Sequence, residues 1–563
     1  MKKGLITILM LFLATHLFGQ NSWNFSWKLD QQPFQDPQAG SEMGIVKAGF
    51  DTDEDGWGEF ICAYTDKDSN YVLMYEASAN NTYDLVWFWR YPVPANTFAG
   101  IVVGDMDNNG IVEILTTMPS VVSTENPNPS RLWVFEWSGV QGENKYGVYS
   151  GDEFTPTSEW NFDVDDNIDL RPYSLTIEDI DWDGANELIV GVRAGDRGRE
   201  VIVANVLGEF TSLGAWTIEY HVPGLSGGAL YNVTTGDLDN DGNREIHAAI
   251  WNLFSLLIIE STGPDTYNVE VEHNAIFKDS GIDHGALDAV RVADANGDGI
   301  NELYYASMQS ENMLFMITNI SDVSTIDTAD VVNFYTIPVK EGTLGRLRTL
   351  YIDDPDEDGN IDLMIGGERS GQVFDLEYKG SGDPTDSANW ELNIAYDLFE
   401  HTGLTPQDTV TIGPRIFYGH PAGDMDQDGF NEYVFVNYSA DLDISDDDGY
   451  VWVIEADNTT GISAEQSIIP ENMLLKQNYP NPFNPATTIE FVIPKQKYVT
   501  LNVYNSLGQH IAQLMDANMA AGSHQIKFDA TDLPTGNYFV QLKTKNKNGH
   551  FDFIQTRKIT LLK

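Results

Sequence analysis

The sequence predicts an all-β chain: a seven-bladed β-propeller with hairpin calcium loops, followed by a smaller β-sandwich. Three observations carry that expectation. A nine-residue acidic pattern recurs seven times, short β-branched and aromatic runs flank the copies, and the composition changes abruptly after residue 457.

The repeats begin at Asp51, Asp105, Asp179, Asp237, Asp294, Asp354 and Asp424 and read DTDEDGWGE, DMDNNGIVE, DIDWDGANE, DLDNDGNRE, DANGDGINE, DPDEDGNID and DMDQDGFNE. Position 6 is always Gly, and positions 1, 3, 5 and 9 always carry a side-chain oxygen. The candidate ligands are therefore Asp51, Asp53, Asp55 and Glu59; Asp105, Asp107, Asn109 and Glu113; Asp179, Asp181, Asp183 and Glu187; and Asp237, Asp239, Asp241 and Glu245. The last three loops add Asp294, Asn296, Asp298 and Glu302; Asp354, Asp356, Asp358 and Asp362; and Asp424, Asp426, Asp428 and Glu432. Alternate oxygens around a tight turn can converge on a hard cation that takes six to eight of them, while Gly permits positive φ. Calcium fits this better than magnesium, which keeps water and a stricter octahedron. Up to seven structural Ca²⁺ ions follow.

Isolated Asp-Gly turns are common for reasons unrelated to metal, but seven copies with complete spacing argue against that reading. An EF-hand would need Glu at position 12, where these loops have Cys62, Thr116, Val190, Ala248, Tyr305, Ile365 and Phe435. The flanks, such as Glu187–Val192 and Glu432–Val436, read as strands, so these are hairpin loops.

Spacings of 54, 74, 58, 57, 60 and 70 residues between first aspartates leave room for a four-stranded blade per repeat. Each repeat has a strand entering the loop and a strand leaving it. A third run follows (Tyr71–Tyr75, Arg131–Phe135, Tyr450–Ile454), then a fourth often containing Trp (Leu85–Trp89, Trp160–Val164, Trp216–Tyr220). The seventh repeat lacks its fourth run, whereas Trp23–Leu29 precedes the first repeat and has no partner in sequence. A ring must close without an exposed edge, so this N-terminal strand is expected to complete the last blade.

Composition bounds the partners. Asp and Glu total 86 against 31 Lys and Arg, a net charge of −55, so nucleic acid and anionic membranes are repelled and cations attracted. With 42% hydrophobic and 12% aromatic residues the chain has ample material for a core. Lys2 and Lys3 before the apolar run Leu5–Ala14 read as a signal peptide, residues 1–19, with cleavage after Gly19. No later segment approaches membrane-spanning length, so no transmembrane segment is expected. Cys62 is the only cysteine, which excludes intrachain disulfides and cysteine metal clusters.

The seven loops resemble the FG-GAP repeats of integrin α-chain propellers and the related VCBS-type repeats of bacterial surface proteins, over residues 20–457. That resemblance is specific for fold and poor for ligand. After a polar linker, 458–478, the segment 479–563 is expected to form an Ig-like β-sandwich, because runs such as Val499–Tyr504 alternate apolar and polar residues. Its motifs NYPNPFNPATTI at 478–489, NSLGQ at 505–509, GNYFV at 536–540 and the terminal KITLLK resemble the type A C-terminal sorting domain of the type IX secretion system. The resemblance implies passage through the periplasm of a Bacteroidota-type cell to its outer surface or the medium, with the type IX machinery as partner.

Evidence for catalysis is thin. GLSGG at 224–228 matches GxSxG, but that motif needs a strand-to-helix elbow and here joins two predicted strands. No HExxH and no catalytic Arg, Tyr or Lys constellation is discernible in the sequence. Trp182, at loop position 4 where polar residues or Gly stand elsewhere, is a candidate ligand contact or a packing residue against the neighbouring loop. Arg171 and Arg346 each lie eight residues before a loop, where they either line a channel mouth as an anion site or pair with nearby carboxylates, the second being favoured in so acidic a chain. The expected function is a secreted or cell-surface, non-enzymatic binding or adhesion module for an extracellular protein or glycan. The alternatives are a glycan-binding lectin and a polysaccharide lyase of the calcium-rich propeller type.

Overall fold

The computed structural model describes residues 22–30, 33, 42–66, 69–92, 99–118, 122–150, 153–208, 210, 216–225, 228–250, 255–271, 288–307, 311–404, 415–438, 440, 448–457, 474–476, 478, 481, 483–493, 497–506, 509–519, 522–531, 533–545 and 551–563. The signal peptide and most of the linker lie outside these residues. The described chain is almost entirely β and falls into two compact units, Met1–Thr460 and Gly461–Lys563.

The first unit contains seven four-stranded antiparallel sheets, each built around one acidic loop. The first strands, in chain order of the sheets, are Glu42–Phe50, Gly100–Gly104, Leu170–Glu178, Leu230–Gly236, Val290–Ala293, Leu347–Asp353 and Ile416–Gly423. Every loop follows a first strand, and position 9 opens the second strand: Glu59–Asp66, Glu113–Thr117, Glu187–Gly195, Glu245–Ile250, Glu302–Ala306, Asp362–Gly367 and Glu432–Asn437. These second strands are apolar on both faces and almost wholly buried, as expected for the middle of a sheet covered by neighbours. Each first strand lies beside the next in order, and that of sheet 7 lies beside that of sheet 1.

Sheets 1 to 6 take their strands in chain order, with a separate hairpin, Val148–Ser150 and Glu153–Thr155, inserted before the fourth strand of sheet 2. Sheet 7 does not: its fourth strand is Ser22–Lys28, paired antiparallel with Val451–Asp457 through Trp23↔Ala456 and Trp27↔Val453. In sheet 2 the fourth strand is Ser158–Trp160, so Trp160 ends the strand that the sequence has it begin. Phe162 and Asp163 take φ of 62° and 52°, which breaks the extended path there. Cys62 is buried and free in the core of sheet 1, where burial raises its thiol pKa.

The second unit consists of a three-stranded sheet, ordered Leu474–Leu475, Ala486–Ile493 and Gly522–Asp529, and a four-stranded one, ordered His510–Met519, Lys497–Asn505, Gly536–Lys545 and Phe551–Leu561. Ile489 and Phe491 from one sheet share a buried core with Val499, Leu501, Val540 and Leu542 from the other. The unit takes in Leu474–Leu475, a segment the sequence assigns to the linker.

Candidate metal centres

Each acidic loop is wound by its own backbone amides. In all seven, the position-7 N–H donates to the position-5 Oδ1 at 2.7–3.0 Å, from Trp57 to Asp55 in the first loop through Phe430 to Asp428 in the last. In six, the position-6 glycine N–H donates to Oδ2 of the first aspartate. That glycine has φ of 85–95° in every loop, the conformation expected of it. Position 4 is left-handed as well: Glu54, Asn108, Trp182, Asn240, Gly297, Glu357 and Gln427 have φ between 56° and 72°. Two left-handed residues within three positions fold the turn so that the carboxylates of positions 1, 3 and 5 face inward.

The position-9 carboxylate closes each loop from below. Glu59, Glu113, Glu187, Glu245, Glu302, Asp362 and Glu432 are at most 1% exposed. In five loops Oε2 accepts the N–H of position 2 at 2.6–2.9 Å, from Thr52, Met106, Ile180, Leu238 and Met425. In those same five, Glu59, Glu113, Glu187, Glu245 and Glu432, Oε1 is buried with no hydrogen-bond partner. A buried carboxylate oxygen left unpaired costs about 1–3 kcal/mol or more, so its recurrence needs an explanation. Burial, and then nearby carboxylates, push Glu59, Glu113, Glu187 and Glu432 up to about 9.

Carboxylate oxygens of Asp237, Asp239, Asp241 and Glu245 lie within 4.8 Å of one another, as do those of Asp424, Asp426, Asp428 and Glu432. Asp51, Asp53 and Glu59 converge similarly, as do Asp105, Asp107 and Glu113. Loop 5 differs. Asn296 Nδ2 and the Thr318 hydroxyl donate to Glu302 Oε1 at 3.0 and 3.3 Å, and Tyr304 donates to Oε2 at 3.1 Å, so no oxygen of Glu302 is left over. In loop 6 the shorter Asp362 lies beside Asp375, and burial followed by that neighbour raises its pKa.

A further row of acids escaped the pattern. Glu76, Glu136, Glu260, Glu377 and Glu455 on the third strands sit directly across from a position-9 residue. Glu76 converges with Asp53 and Asp55. The signal was present: the third runs LMYE, WVFE, LIIE, FDLE and WVIE all end in Glu. It becomes a ligand signal only when cross-strand register is known.

Neighbouring loops are latched together. The position-8 side chains Asn186, Asn301 and Asn431 donate to the carbonyls of Asp105, Asp237 and Pro355 in the preceding loop, and Gly58 N–H donates to the Met425 carbonyl of loop 7. Position-3 aspartates also accept amides from the next sheet: Phe210 to Asp107, Asp265 to Asp181, Val323 to Asp239 and Asn81 to Asp426. At position 8 of loop 4, Arg244 instead pairs with Glu178 and lies 5.3 Å over the ring of Trp182, which is 63% exposed. Trp182 thus has one face against the neighbouring loop.

The structure also gathers a constellation that was not discernible in sequence. Lys47, Asp288, Arg291, Tyr351 and His420, from the first strands of sheets 1, 5, 6 and 7 and the approach to sheet 5, line a cavity of about 290 Å³. Lys47 Nζ donates to Tyr351 OH at 2.6 Å, which donates to Asp288 Oδ2 at 2.8 Å, and Arg291 donates to Asp288 Oδ1 at 2.8 Å. His420 Nδ1 lies 2.7 Å from the Pro421 carbonyl, and burial followed by Lys47 lowers its pKa to about 3. Burial alone would raise Asp288, but Arg291 and Lys47 hold it below the carboxylate range. Arg171 pairs with Asp169 at 2.8 Å, and Arg346 lies 3.9 Å from Glu368. The GLSGG segment begins with the last two residues of the strand Trp216–Leu225, and its Ser226 and Gly227 lie outside the described residues.

Residues 477–554 match the family described as the secretion system C-terminal sorting domain. That domain engages the type IX secretion machinery and marks exported proteins, secreted or attached to the outer cell surface. No helix among the described residues is long and apolar enough to cross a membrane. No curated protein matches the chain. Among solved structures, the extracellular domain of a hybrid two-component system protein from B. thetaiotaomicron aligns at 9% identity and a TM-score of 0.39, over 97% of this chain and 59% of that one. An Agrocybe aegerita lectin that recognises non-reducing terminal N-acetylglucosamine aligns at 14% identity and 0.36, over 65% of this chain and 83% of the lectin. Dimeric latent PorU from Porphyromonas gingivalis aligns at 9% and 0.15, over 70% and 32%. Deleting residues 479–563 is expected to leave the protein in the periplasm, checked by fractionation; normal appearance outside the cell would place the address elsewhere.

Proposed function

We propose that the first unit is a closed seven-bladed β-propeller of the FG-GAP type, stabilised by calcium and acting outside the cell as a non-enzymatic binding or adhesion module. The second unit is read as an Ig-like sandwich that serves export. The observation that carries the calcium reading is the recurring buried glutamate with one oxygen paired to the loop backbone and the other left without a partner. A divalent cation among the aspartates of positions 1, 3 and 5 would take that oxygen and neutralise the cluster.

The same reasoning ranks the sites. Loops 4 and 7 bring four carboxylates together and should bind most strongly, whereas in loop 5 Asn296 and Thr318 already occupy Glu302. Calorimetric titration is expected to resolve fewer than seven strong calcium sites, with Asp239→Ala removing one and Asn296→Asp strengthening the fifth. Seven equal sites unaffected by either change would contradict the ranking.

Support for a binding role over catalysis comes from the central constellation. Its Lys, Tyr, Arg and Asp are committed to one another in a buried network, which suits holding strands together better than moving protons. A glycan and protein binding screen of the calcium-loaded chain tests this reading. Specific binding without product is expected, and release of unsaturated sugar ends would assign the chain to the lyases instead.

A further inference from the structure

A chain with a net charge of −55 has little reason to collect arginines around one carboxylate, yet it does so at the end of sheets 6 and 7 away from the acidic loops. Arg348 Nε lies 2.7 Å from Glu368 Oε2, Arg369 Nε 3.1 Å from Oε1, and Arg346 NH1 3.9 Å from Oε2, while the Glu368 side chain is 1% exposed. Arg415 is close enough to disfavour the charge on Arg369, and it also faces the carboxyl of Glu42. Four guanidinium groups therefore share two carboxylates, a local excess of positive charge. Arg346 and Arg369 retain side-chain exposures of 38% and 34%, against 13% for Arg348.

Two linked features mark this cluster out. Arg346 is held at φ 125°, a conformation costly for any residue but Gly, by its N–H to Asn312 Oδ1 at 2.7 Å and by the Glu368 N–H to its carbonyl at 2.9 Å. Asn312 is itself 1% exposed, and its Nδ2 donors have no hydrogen-bond partner. Arg348 lies 4.3 Å over Phe417, whose ring stacks on Tyr438 at 4.1 Å, which gives the cluster a rigid aromatic base.

We propose that this cluster is a binding site for an anionic polysaccharide, with Arg346 and Arg369 taking its carboxylate or sulfate groups. Guanidinium groups bind both kinds of oxyanion in a bidentate fork, and a local excess of positive charge is what a chain of net charge −55 needs to hold a polyanion at one place. Arg346 and Asp354 flank the strand Leu347–Asp353 at its two ends, roughly 25 Å apart, so the ligand would not compete with calcium. The inference names a ligand class for the binding-module reading and rests on it.

The test uses the full, calcium-loaded chain with polygalacturonate, dextran sulfate and neutral dextran as immobilised probes. Salt-sensitive binding to one or both polyanions is expected, and which of them binds separates carboxylate from sulfate recognition. Arg346→Gly/Arg369→Gln should weaken it at least about tenfold. Arg346→Gly alone should lower affinity while leaving the melting temperature equal or higher, since Gly accepts the φ that Arg does not. Undiminished binding by both variants, or wild-type binding to neutral glycans or proteins only, overturns the arginine site and leaves the binding module standing. A wild-type chain that binds nothing in the wider screen overturns both.

Discussion

Removal of calcium is expected to lower the melting temperature of the first unit more than any single substitution. At a dissociation constant near 10⁻⁴ M, about 1 mM calcium contributes about 1.4 kcal/mol per site. Seven equal, independent sites would set a ceiling of about 10 kcal/mol, comparable with the net stability of an ordinary domain, and the fewer strong sites expected here supply part of it. The latches between loops extend the effect. Asp107, Asp181, Asp239 and Asp426 each accept an amide from the following sheet, so disorder in an empty loop would loosen its contact with a neighbour. Calorimetry with and without a chelator is the measurement, and an unchanged transition would falsify the structural-calcium reading.

The chelated protein should also respond to pH in a particular direction. Without metal, burial and then neighbouring carboxylates push Glu59, Glu113, Glu187 and Glu432 up to about 9 from an ordinary 4.5. The folded form then holds protons that the unfolded form has released. This contribution is fully present below about pH 4.5 and is lost as pH rises through about 9. Chelated protein should therefore melt at a higher temperature near about pH 5 than near about pH 8. Calcium takes the proton's place, so the loaded protein should lose this dependence.

Truncation of Ser22–Lys28 is the second large effect. The strand supplies the whole outer edge of sheet 7, and its two tryptophans reach beyond that sheet in opposite directions. Trp23 Nε1 donates to Asp375 of sheet 6 at 2.9 Å, while the Trp27 ring lies 5.5–6.0 Å from Phe60, Tyr75 and Tyr83 of sheet 1. Losing the strand would break both seams and bare the edge of Val451–Asp457. Both tryptophans are partly buried against the neighbouring cores, so the cost of about 3–5 kcal/mol for deleting a fully buried one is an upper bound on the share of each. A fall in melting temperature on the order of 10 °C, with a rise in aggregation, is expected for a chain beginning at residue 40. Equal melting of the truncated and full chains would show that the N-terminal strand does not hold the sheets together.

Much of the architecture was legible because the rules that write it are local. Apolar, β-branched and aromatic third runs, Asp-Gly turns and the position of Gly56 and its counterparts all act within a few residues, so seven sheets and seven loops could be read directly. The missing fourth strand of sheet 7 could be read too, from the unpaired run Trp23–Leu29 and the cost of an open edge. Three things could not. The left-handed position 4 is disguised because Glu54, Trp182 and Gln427 are not residues that advertise positive φ, and the amide bonds around them impose it. The glutamates facing position 9, such as Glu76 across from Glu59, depend on cross-strand register. The arginines around Glu368 and the network of Lys47, Asp288, Arg291 and Tyr351 join residues up to about 300 positions apart. Sequence by itself determined the repeating unit and its acidic loop; the tertiary structure alone decided which charges meet at the opposite ends of the sheets, because those meetings are set by the order in which sheets pack and leave no periodic trace in the chain.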